Sequence, residues 1–166
     1  MVNGMILYVR IEGFAAALAT QAAEGAGNPG RPVVVLEAGV VRDACPAARR
    51  QGVRAGMPAW RARQLCPEAA CAEWDPVRAA VAADRWLALC HGLFPRVEPD
   101  GWDAAFLAPS PLPSARAAVA ALAERALPSL GHALAAGAAA TKAVARLACR
   151  MAAPGPRGLP PGALLL

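Results

Sequence analysis

A short stretch in the second half of the chain has the pattern of a β-hairpin, and this pattern favours a fold built on an antiparallel sheet. Val97 leads into turn-forming residues at 99–101, and mostly strand-forming side chains follow at 102–107. Asp103 is the one acid within that second run. Burying a carboxylate costs free energy unless it is paired, hydrogen-bonded or bound to a metal. Taken alone, the stretch therefore predicts that Asp103 lies on the solvent face or at the start of the strand.

The rest of the chain alternates between strand and helix patterns. Apolar runs predict strands over residues 5–9, 33–36, 40–41 and 132–136, and helical spacing or capping signals predict helices over residues 14–23, 46–51, 56–66, 75–90, 114–127 and 143–151. This order predicts an α+β fold with a ferredoxin-like βαββαβ core, helices on one face of a largely antiparallel sheet, and a small inserted subdomain.

Within these elements, the pattern makes more detailed predictions. Val77, Val81 and Leu87 are assigned to the apolar side of the helix over 75–90. Ser114 and Thr141 are assigned as the caps of the two helices that follow the hairpin. The tail over 154–166 is rich in proline and glycine, and an irregular conformation is expected for it.

Charge and cysteine content limit the class of protein. The formal net charge of +5 favours anionic partners such as nucleic acid, and Lys142 is the only lysine in an arginine-rich chain. The odd number of five scattered cysteines, with no second ligand pair at zinc-like spacing, indicates a reduced, cytoplasmic protein. Lys142 and Arg146 interrupt the alanine-rich run over 133–149, so no membrane span is expected there.

Four segments carry a family resemblance: they lie within residues 6–16, 39–67, 97–107 and 137–151, and a Pro-x-Gly-like tail begins at 154. Together they resemble the Y-family translesion DNA polymerases, the group of DNA polymerase IV and the UmuC-type proteins. In chain order they resemble the family's Val-Asp-x-Asp-x-Phe-aromatic-Ala strand, its Tyr-x-Ala-Arg-x-x-Gly-Val-x-x-x-Met-Pro motif, its Ser-x-Asp-Glu-Ala-Tyr-Leu-Asp hairpin and its Gly-x-Ala-x-x-Lys-x-x-Ala-Lys-x-Ala-x-x-Met segment.

This resemblance implies a division of the chain into polymerase subdomains. Residues 1–12 and 75–166 correspond to a palm, and residues 13–74 correspond to an inserted fingers subdomain. The thumb and little finger of the family are expected to be absent from this sequence.

The resemblance also identifies the positions of the metal-binding carboxylates. The family transfers nucleotides with two divalent metals, and the implied ligand positions are occupied by Arg10, Asp103 and Ala104, with Glu12 at a less central acidic position. Arginine stays protonated and cannot ligate a metal, so we expect Arg10 to pair with Asp103. Two alternatives remain open: Arg10 turns away and leaves an empty site, or Asp103 and Glu12 retain one weakly bound metal.

The implied nucleotide pocket is altered as well. Ala15 stands at the position of the aromatic steric gate, and Pro46 at that of a triphosphate-contacting tyrosine. Arg49 and Lys142 stand at triphosphate-contacting positions, although a lysine in the first turn of a helix is equally typical of a solvated surface. For Arg50 and Arg54 a solvated basic face is the preferred interpretation.

These substitutions imply a catalytically defective module similar to the ImuB-type proteins. Its expected role is to organise partners at damaged or primer-template DNA, among them a sliding clamp, a replicative-type polymerase or other repair proteins. No cofactor is expected, and Mg²⁺ only if activity remains. One alternative is an active error-prone translesion polymerase domain with altered metal ligands. Another is a nucleotide-sensing or structural module that uses Arg49 and Lys142 without turnover.

Overall fold

The computed structural model describes residues 5–27, 29–108, 112–152 and 164–165. The strands are β1 (Ile6–Glu12), β2 (Val33–Glu37), β3 (Val40–Ala44), β4 (Ala70–Glu73), β5 (Val97–Pro99), β6 (Ala104–Leu107), β7 (Ala133–Ala139) and β8 (Leu164–Leu165). The helices are α1 (Phe14–Gly25), α2 (Pro46–Arg50), α3 (Ala59–Leu65), α4 (Pro76–His91), α5 (Leu112–Leu130) and α6 (Lys142–Ala152). The chain divides into two compact units: the first unit contains β1 and the chain from Ala80 onwards, and the second unit is Gly13–Ala79.

The first unit is built on a sheet with the strand order β5-β6-β1-β7-β8. The pairs β5/β6, β6/β1 and β1/β7 are antiparallel, and the two-residue strand β8 pairs with β7 in parallel. In the chain, α4 lies between β1 and β5, and α5 lies between β6 and β7. Strands β1, β5, β6 and β7 with these two helices therefore follow the predicted βαββαβ order. The predicted α+β, ferredoxin-like fold is confirmed. Most of the tail over 154–166 lies outside the described residues.

The central strand β1 has two faces of different character. Leu7, Val9 and Ile11 are almost fully buried, as expected for an apolar run in the middle of a sheet. On the other face, Tyr8 is buried, whereas Arg10 is exposed. The strand can continue past its apolar run to Glu12 because Ile11 stays in the core, while Arg10 and Glu12 lie on the less buried face.

Helix α6 packs closely on the face of the sheet that carries Tyr8. Its buried residues Ala145 and Cys149 join Tyr8, Ala135 and residues of β6 in one apolar cluster. At Gly137 in β7, an added Cβ would lie 2.2 Å from the backbone nitrogen of Cys149. Small side chains therefore set the short distance between the helix and the sheet.

The second unit is a smaller sheet with the order β3-β2-β4. The strands predicted over 33–36 and 40–41 pair as an antiparallel hairpin, and valines at 33, 34 and 41 lie in the core of this unit. Strand β4, which pairs with β2 in parallel, was not predicted from the sequence. Its residues Ala70–Glu73 contain no β-branched side chain, so the strand depends on pairing with β2 rather than on local preference.

Three local predictions need correction. Val77 and Val81 are 74% and 53% exposed, and α4 instead buries its small residues together with Trp86. The two valines point outwards, and the alanines on the buried side allow this side of the helix to pack closely. Ser114 lies inside α5, which begins at Leu112, and is not its cap. Trp102 belongs to the bend before β6 and not to a strand.

Two further predictions agree with the structure. The hydroxyl oxygen of Thr141 accepts a hydrogen bond from the backbone nitrogen of Val144 at 3.4 Å, as expected of a cap for α6. All five cysteines are free thiols, and of these only Cys71 is exposed. None of the helices within the described ranges is both long and apolar enough to cross a membrane.

Candidate functional site

One end of the sheet in the first unit brings together the residues that the sequence singled out. In the antiparallel register of β1 and β6, Arg10 lies directly opposite Ala104. The backbone nitrogen of Ile11 donates to the carbonyl oxygen of Asp103 at 2.8 Å, which fixes Asp103 immediately before β6. Asp103 is thus held at the start of the strand, as predicted, and its side chain is 30% exposed.

The guanidinium of Arg10 lies between two carboxylates. Its Nε donates to Oδ2 of Asp103 at 3.3 Å and lies 3.8 Å from Oε1 of Glu12. Burial disfavours the charged guanidinium, but the charges of Glu12 and Asp103 outweigh burial and raise the pKa of Arg10 above its ordinary value. The ion pair with Asp103 is the arrangement expected from the sequence. Arg10 does not turn away from the site.

The residues at this end of the sheet do not fit a divalent metal. Mg²⁺ takes oxygen ligands in octahedral geometry, but Ala104 offers only a methyl group, and Asp103 and Glu12 both face the guanidinium of Arg10. Within the part of the chain that the structure describes, no group of three histidine, cysteine or acidic side chains is placed to hold a metal ion. Metal binding by Asp103 and Glu12 would require Arg10 to leave both carboxylates.

An open pocket of about 480 Å³ adjoins this ion pair. It is lined by Tyr8, Arg10, Glu12, Asp100, Arg146, Cys149 and Arg150, which come from β1, the hairpin turn and α6. Oδ2 of Asp100 accepts hydrogen bonds from the hydroxyl of Tyr8 at 2.7 Å and from Nη2 of Arg146 at 2.9 Å. Burial, followed by the hydrogen bond to Asp100, raises the pKa of Tyr8, so its phenol stays protonated. Within the pocket lining, Glu12 lies beside Arg10, and Asp100 is hydrogen-bonded to Arg146, so these opposite charges offset each other.

This Tyr8–Asp100–Arg146 network was missed in the sequence. Asp100 was assigned only to the hairpin turn, and Tyr8 only to an apolar strand. One signal was available: Lys142, Arg146 and Arg150 recur at every fourth position of α6 and therefore lie along one side of the helix. That spacing indicates a basic ridge but does not identify the acids opposite it.

Lys142 is already paired. Its Nζ donates to both carboxylate oxygens of Glu98 at 2.6 Å and lies 5.3 Å from the centre of the Phe106 ring. The lysine side chain is 49% exposed, so it remains within reach of solvent.

Arg49 belongs to the second unit and holds a buried acid. Its Nη2 donates to Oδ1 of Asp43 at 2.6 Å, and its Nε donates to the carbonyl oxygen of Ala44 at 2.8 Å. The other oxygen of Asp43, Oδ2, accepts a hydrogen bond from the backbone nitrogen of Ala16 in the first turn of α1. Because the cap residue Gly13 has no side chain to offer, Asp43 supplies the cap of α1, and Arg49 balances its charge.

Comparison with known families identifies the fold and the family of the chain. The model of the impB/mucB/samB family matches residues 12–150. The chain belongs to this family.

Two relatives of this chain are named as DNA polymerases. DNA polymerase IV of Alkalilimnicola ehrlichii is 38% identical over 114 residues, which are 65% of this chain and 31% of that protein. DNA polymerase IV 2 of Mycobacterium tuberculosis is 39% identical over 87 residues, which are 52% of this chain and 24% of that protein. The chain therefore spans less than a third of the length of these relatives.

Solved structures share the fold. A ternary complex of Dbh matches with a TM-score of 0.76 and 22% identity, covering 90% of this chain and 46% of that chain. DinB from Sulfolobus solfataricus matches with a TM-score of 0.73 and 21% identity at the same coverage. The palm and fingers fold of a Y-family polymerase, predicted from the four motifs, is confirmed.

In this impB/mucB/samB family member, the two positions expected to carry aromatic side chains carry small or cyclic ones. Ala15 is buried in the first turn of α1, and Pro46 is the first residue of α2 and is exposed. Arg49 and Lys142 lie in different units, each with an acidic partner of its own. Arg50 and Arg54 are exposed, as predicted, and Arg54 donates to backbone carbonyl oxygens, including that of Val53.

Proposed function

We propose that this chain is a catalytically defective Y-family polymerase module that acts in DNA repair and translesion synthesis as a DNA- or partner-binding scaffold. The observation that carries the proposal is the position of Arg10. It is paired with Asp103 and faces Ala104 at the place where the family resemblance expects a cluster of metal-binding carboxylates.

The chemical reason is electrostatic. Nucleotidyl transfer depends on metal ions that activate the attacking hydroxyl and neutralise the triphosphate. A guanidinium about 4 Å from a divalent ion would repel it by several kcal/mol at an effective dielectric constant of about 20. Because Arg10 stays protonated, it replaces the charge of a metal without supplying a metal's open coordination positions.

The nucleotide contacts support the same interpretation. Lys142 and Arg49 would have to leave Glu98 and Asp43 before either could bind a triphosphate. For Arg49, this would also remove the charge partner of the Asp43 cap on α1. Neither Arg49 nor Lys142 is a free cation, so these two residues give no support to the alternative of a nucleotide sensor without turnover.

A DNA-associated role is supported by charge and by family membership. The chain carries a net charge of +5, and positive charge favours phosphate backbones. We assign residues 1–12 and 75–166 to the palm and 13–74 to the fingers, a division supported by the separation of two compact units. Primer-template or damaged DNA, a sliding clamp and a second polymerase are the proposed partners, and the proposed location is the cytoplasm.

Primer extension tests the catalytic part of this proposal. The protein is incubated with a primed template, all four deoxynucleotides and Mg²⁺ or Mn²⁺, and metal-dependent nucleotide binding is followed by calorimetry. We expect neither extension nor metal-dependent binding. The double variant Arg10→Asp with Ala104→Glu restores both missing carboxylates, and we expect it to gain metal binding.

The matched control is Asp103→Ala in both backgrounds. It should change nothing in the wild-type protein and should abolish the metal binding of the restored variant. Extension by the wild-type protein that disappears in Asp103→Ala would instead establish an active translesion polymerase with altered ligands.

A further inference from the structure

The second unit carries an unusual concentration of positive charge. The segment over residues 46–66 contains five arginines and no acid. Two of these arginines are engaged inside the unit: Arg49 pairs with Asp43, and Arg54 donates to backbone carbonyl oxygens. The other three, Arg50, Arg61 and Arg63, are exposed, and among the described residues their side chains have no hydrogen-bond or ion-pair partner.

A large aromatic side chain lies among these free cations. Trp60 on α3 is 61% exposed, whereas Ala62 on the opposite side of the same helix is only 1% exposed. Arg61 directly follows Trp60 in the chain, and Arg63 comes about one helical turn after Trp60. The two arginines are therefore placed on the two flanks of Trp60 around the helix. The side chains of Trp60, Arg61 and Arg63 are called the α3 surface below.

The other three tryptophans of the chain are more protected. Trp86 is fully buried, and Trp102 is 37% exposed. The ring of Trp74 is covered by the guanidinium of Arg42, which lies 4.0 Å from its centroid. An indole exposed as fully as that of Trp60 keeps a large apolar face in water, and tryptophan is enriched at binding interfaces.

The α3 surface rests on a firm support. Ala59 donates to the carbonyl oxygen of Gly39 at 2.9 Å, and Pro58 pairs with Val40 at the end of the β2–β3 hairpin. Cys66, which follows the helix, is 1% exposed. Because both ends of this short helix are fixed to the unit, the indole is presented with little conformational freedom left to lose on binding.

We infer that the α3 surface binds single-stranded nucleic acid, with a base stacked on the indole of Trp60 and backbone phosphates paired with Arg61 and Arg63. This inference rests on the proposed association of the chain with DNA and adds a specific place for it. The match is chemical: a single strand offers an unpaired aromatic base next to a phosphate, and proteins that bind it combine stacking side chains with basic ones. An acidic peptide would use the arginines but would leave the indole face without a comparable partner.

The test uses the full chain and a fluorescently labelled oligothymidine of about 15 nucleotides. Binding is measured by anisotropy over a range of salt concentrations. Trp60→Ala removes the stacking face and should weaken binding by about 5- to 150-fold. Trp60→Phe keeps an aromatic face, so it should retain most of the affinity. It should also lose the quenching of Trp60 fluorescence that we expect when the wild-type protein binds the oligonucleotide.

The charge contribution is tested separately with matched variants. Arg61→Ala with Arg63→Ala should reduce the slope of log affinity against log salt by about 1.4, since each phosphate contact to a single strand contributes about 0.7. Arg116→Ala with Arg125→Ala removes two exposed arginines of α5 in the first unit and is the control for total charge. We expect this control pair to leave the slope nearly unchanged.

The outcomes distinguish this inference from the proposed function. If the wild-type protein binds the oligonucleotide and Trp60→Ala binds equally well, the α3 surface is not the site, while the scaffold proposal stands. If polyglutamate displaces the oligonucleotide as well as unlabelled oligothymidine does, and Trp60→Ala has no effect, the surface is an acidic-protein site and the inference is wrong. If the wild-type protein binds no single strand at all, the inference is wrong, and primer extension still tests the catalytic part of the proposed function independently.

Discussion

Arg10 in β1 lies directly opposite Ala104 in β6, so that a guanidinium faces a methyl group across the end of the sheet. The same guanidinium pairs with Asp103, which immediately precedes Ala104 in the chain. An ion pair of this kind can stabilise the fold, or its arginine can neutralise a cluster of acids without adding much stability. In the first case the two partners are strongly coupled, and in the second case their coupling is weak.

We expect the coupling between Arg10 and Asp103 to be weak. Their side chains are 44% and 30% exposed, and solvent-exposed pairs typically contribute about 0.2–1 kcal/mol. A double-mutant cycle with Arg10→Ala and Asp103→Ala, measured by urea denaturation, should return a coupling energy in that range and a smaller one at high salt. A coupling above about 2 kcal/mol would mean that the pair serves the stability of the fold, and it would count against a role of Arg10 in excluding a metal.

Replacing Gly137 should be severely destabilising. A Cβ at this position would lie 2.2 Å from the backbone nitrogen of Cys149 and 2.5 Å from the carbonyl oxygen of Ala145. Backbone atoms of a packed helix cannot move aside as a flexible side chain can, so Gly137→Ala should lower the free energy of unfolding by about 3 kcal/mol or more.

The matched control for Gly137 is Gly25→Ala. Gly25 is the last residue of α1, and an added Cβ there meets nothing within 4 Å. Alanine favours helix more than glycine does, so this variant should be neutral or more stable by about 0.5 kcal/mol. Thermal denaturation of both variants checks the comparison, and equal stability of the two would contradict the close contact between β7 and α6.

Some parts of the fold could be predicted from the sequence, and others could not. The hairpin over 97–107 and the strand β1 were predictable because turn residues and apolar runs act locally. The buried side of α4 could not be predicted in this way. Val77 and Val81 are more hydrophobic than alanine, but the alanines of the helix are the residues that pack against the core. Strand β4 was missed because its pairing with β2 joins segments that are distant in the chain.

The site could be predicted to a similar extent. The match to the family motifs placed Arg10 and Asp103 together at the positions of the metal-binding carboxylates. Their opposite charges then predicted the ion pair. The partners of Lys142 and Arg49 could not be predicted in this way. Glu98 reaches Lys142 only through the position of α6 beside the hairpin, and Asp43 reaches Arg49 through a turn from β3 into α2.

Asp43 should be among the most sensitive acids of the second unit. It is 8% exposed, caps α1 through the backbone nitrogen of Ala16, and balances Arg49. Asp43→Ala removes the cap and leaves a partly buried guanidinium without its partner, which should cost about 2–4 kcal/mol. Urea denaturation measures this loss.

The control for Asp43 is another acid of the same unit. Glu37 also pairs with an arginine, Arg42, but its side chain is 50% exposed. Glu37→Ala should therefore cost less than about 1 kcal/mol. If both variants lost the same stability, the helix-capping role of Asp43 would be excluded.

The titration of Tyr8 gives a prediction on pH that can be read from a single chromophore, since Tyr8 is the only tyrosine of the chain. Burial, and then the hydrogen bond to Asp100, raises its pKa above the ordinary value of about 10. The folded state therefore holds the phenolic proton more tightly than the unfolded state. This contribution to stability is complete below about pH 10 and is lost as the pH rises above that value.

Ultraviolet absorbance at the tyrosinate band should therefore show little ionisation of the native protein near pH 10.5, and half or more in urea. Tyr8→Phe removes the titrating group and should make the free energy of unfolding less dependent on pH above 10. Asp100→Ala removes both the hydrogen bond and the negative charge of Asp100, so the pKa of Tyr8 should fall but stay above its ordinary value, because burial remains. A native tyrosinate signal that develops at the same pH as in urea would show that Tyr8 is open to solvent and that its network with Asp100 and Arg146 is not formed in solution.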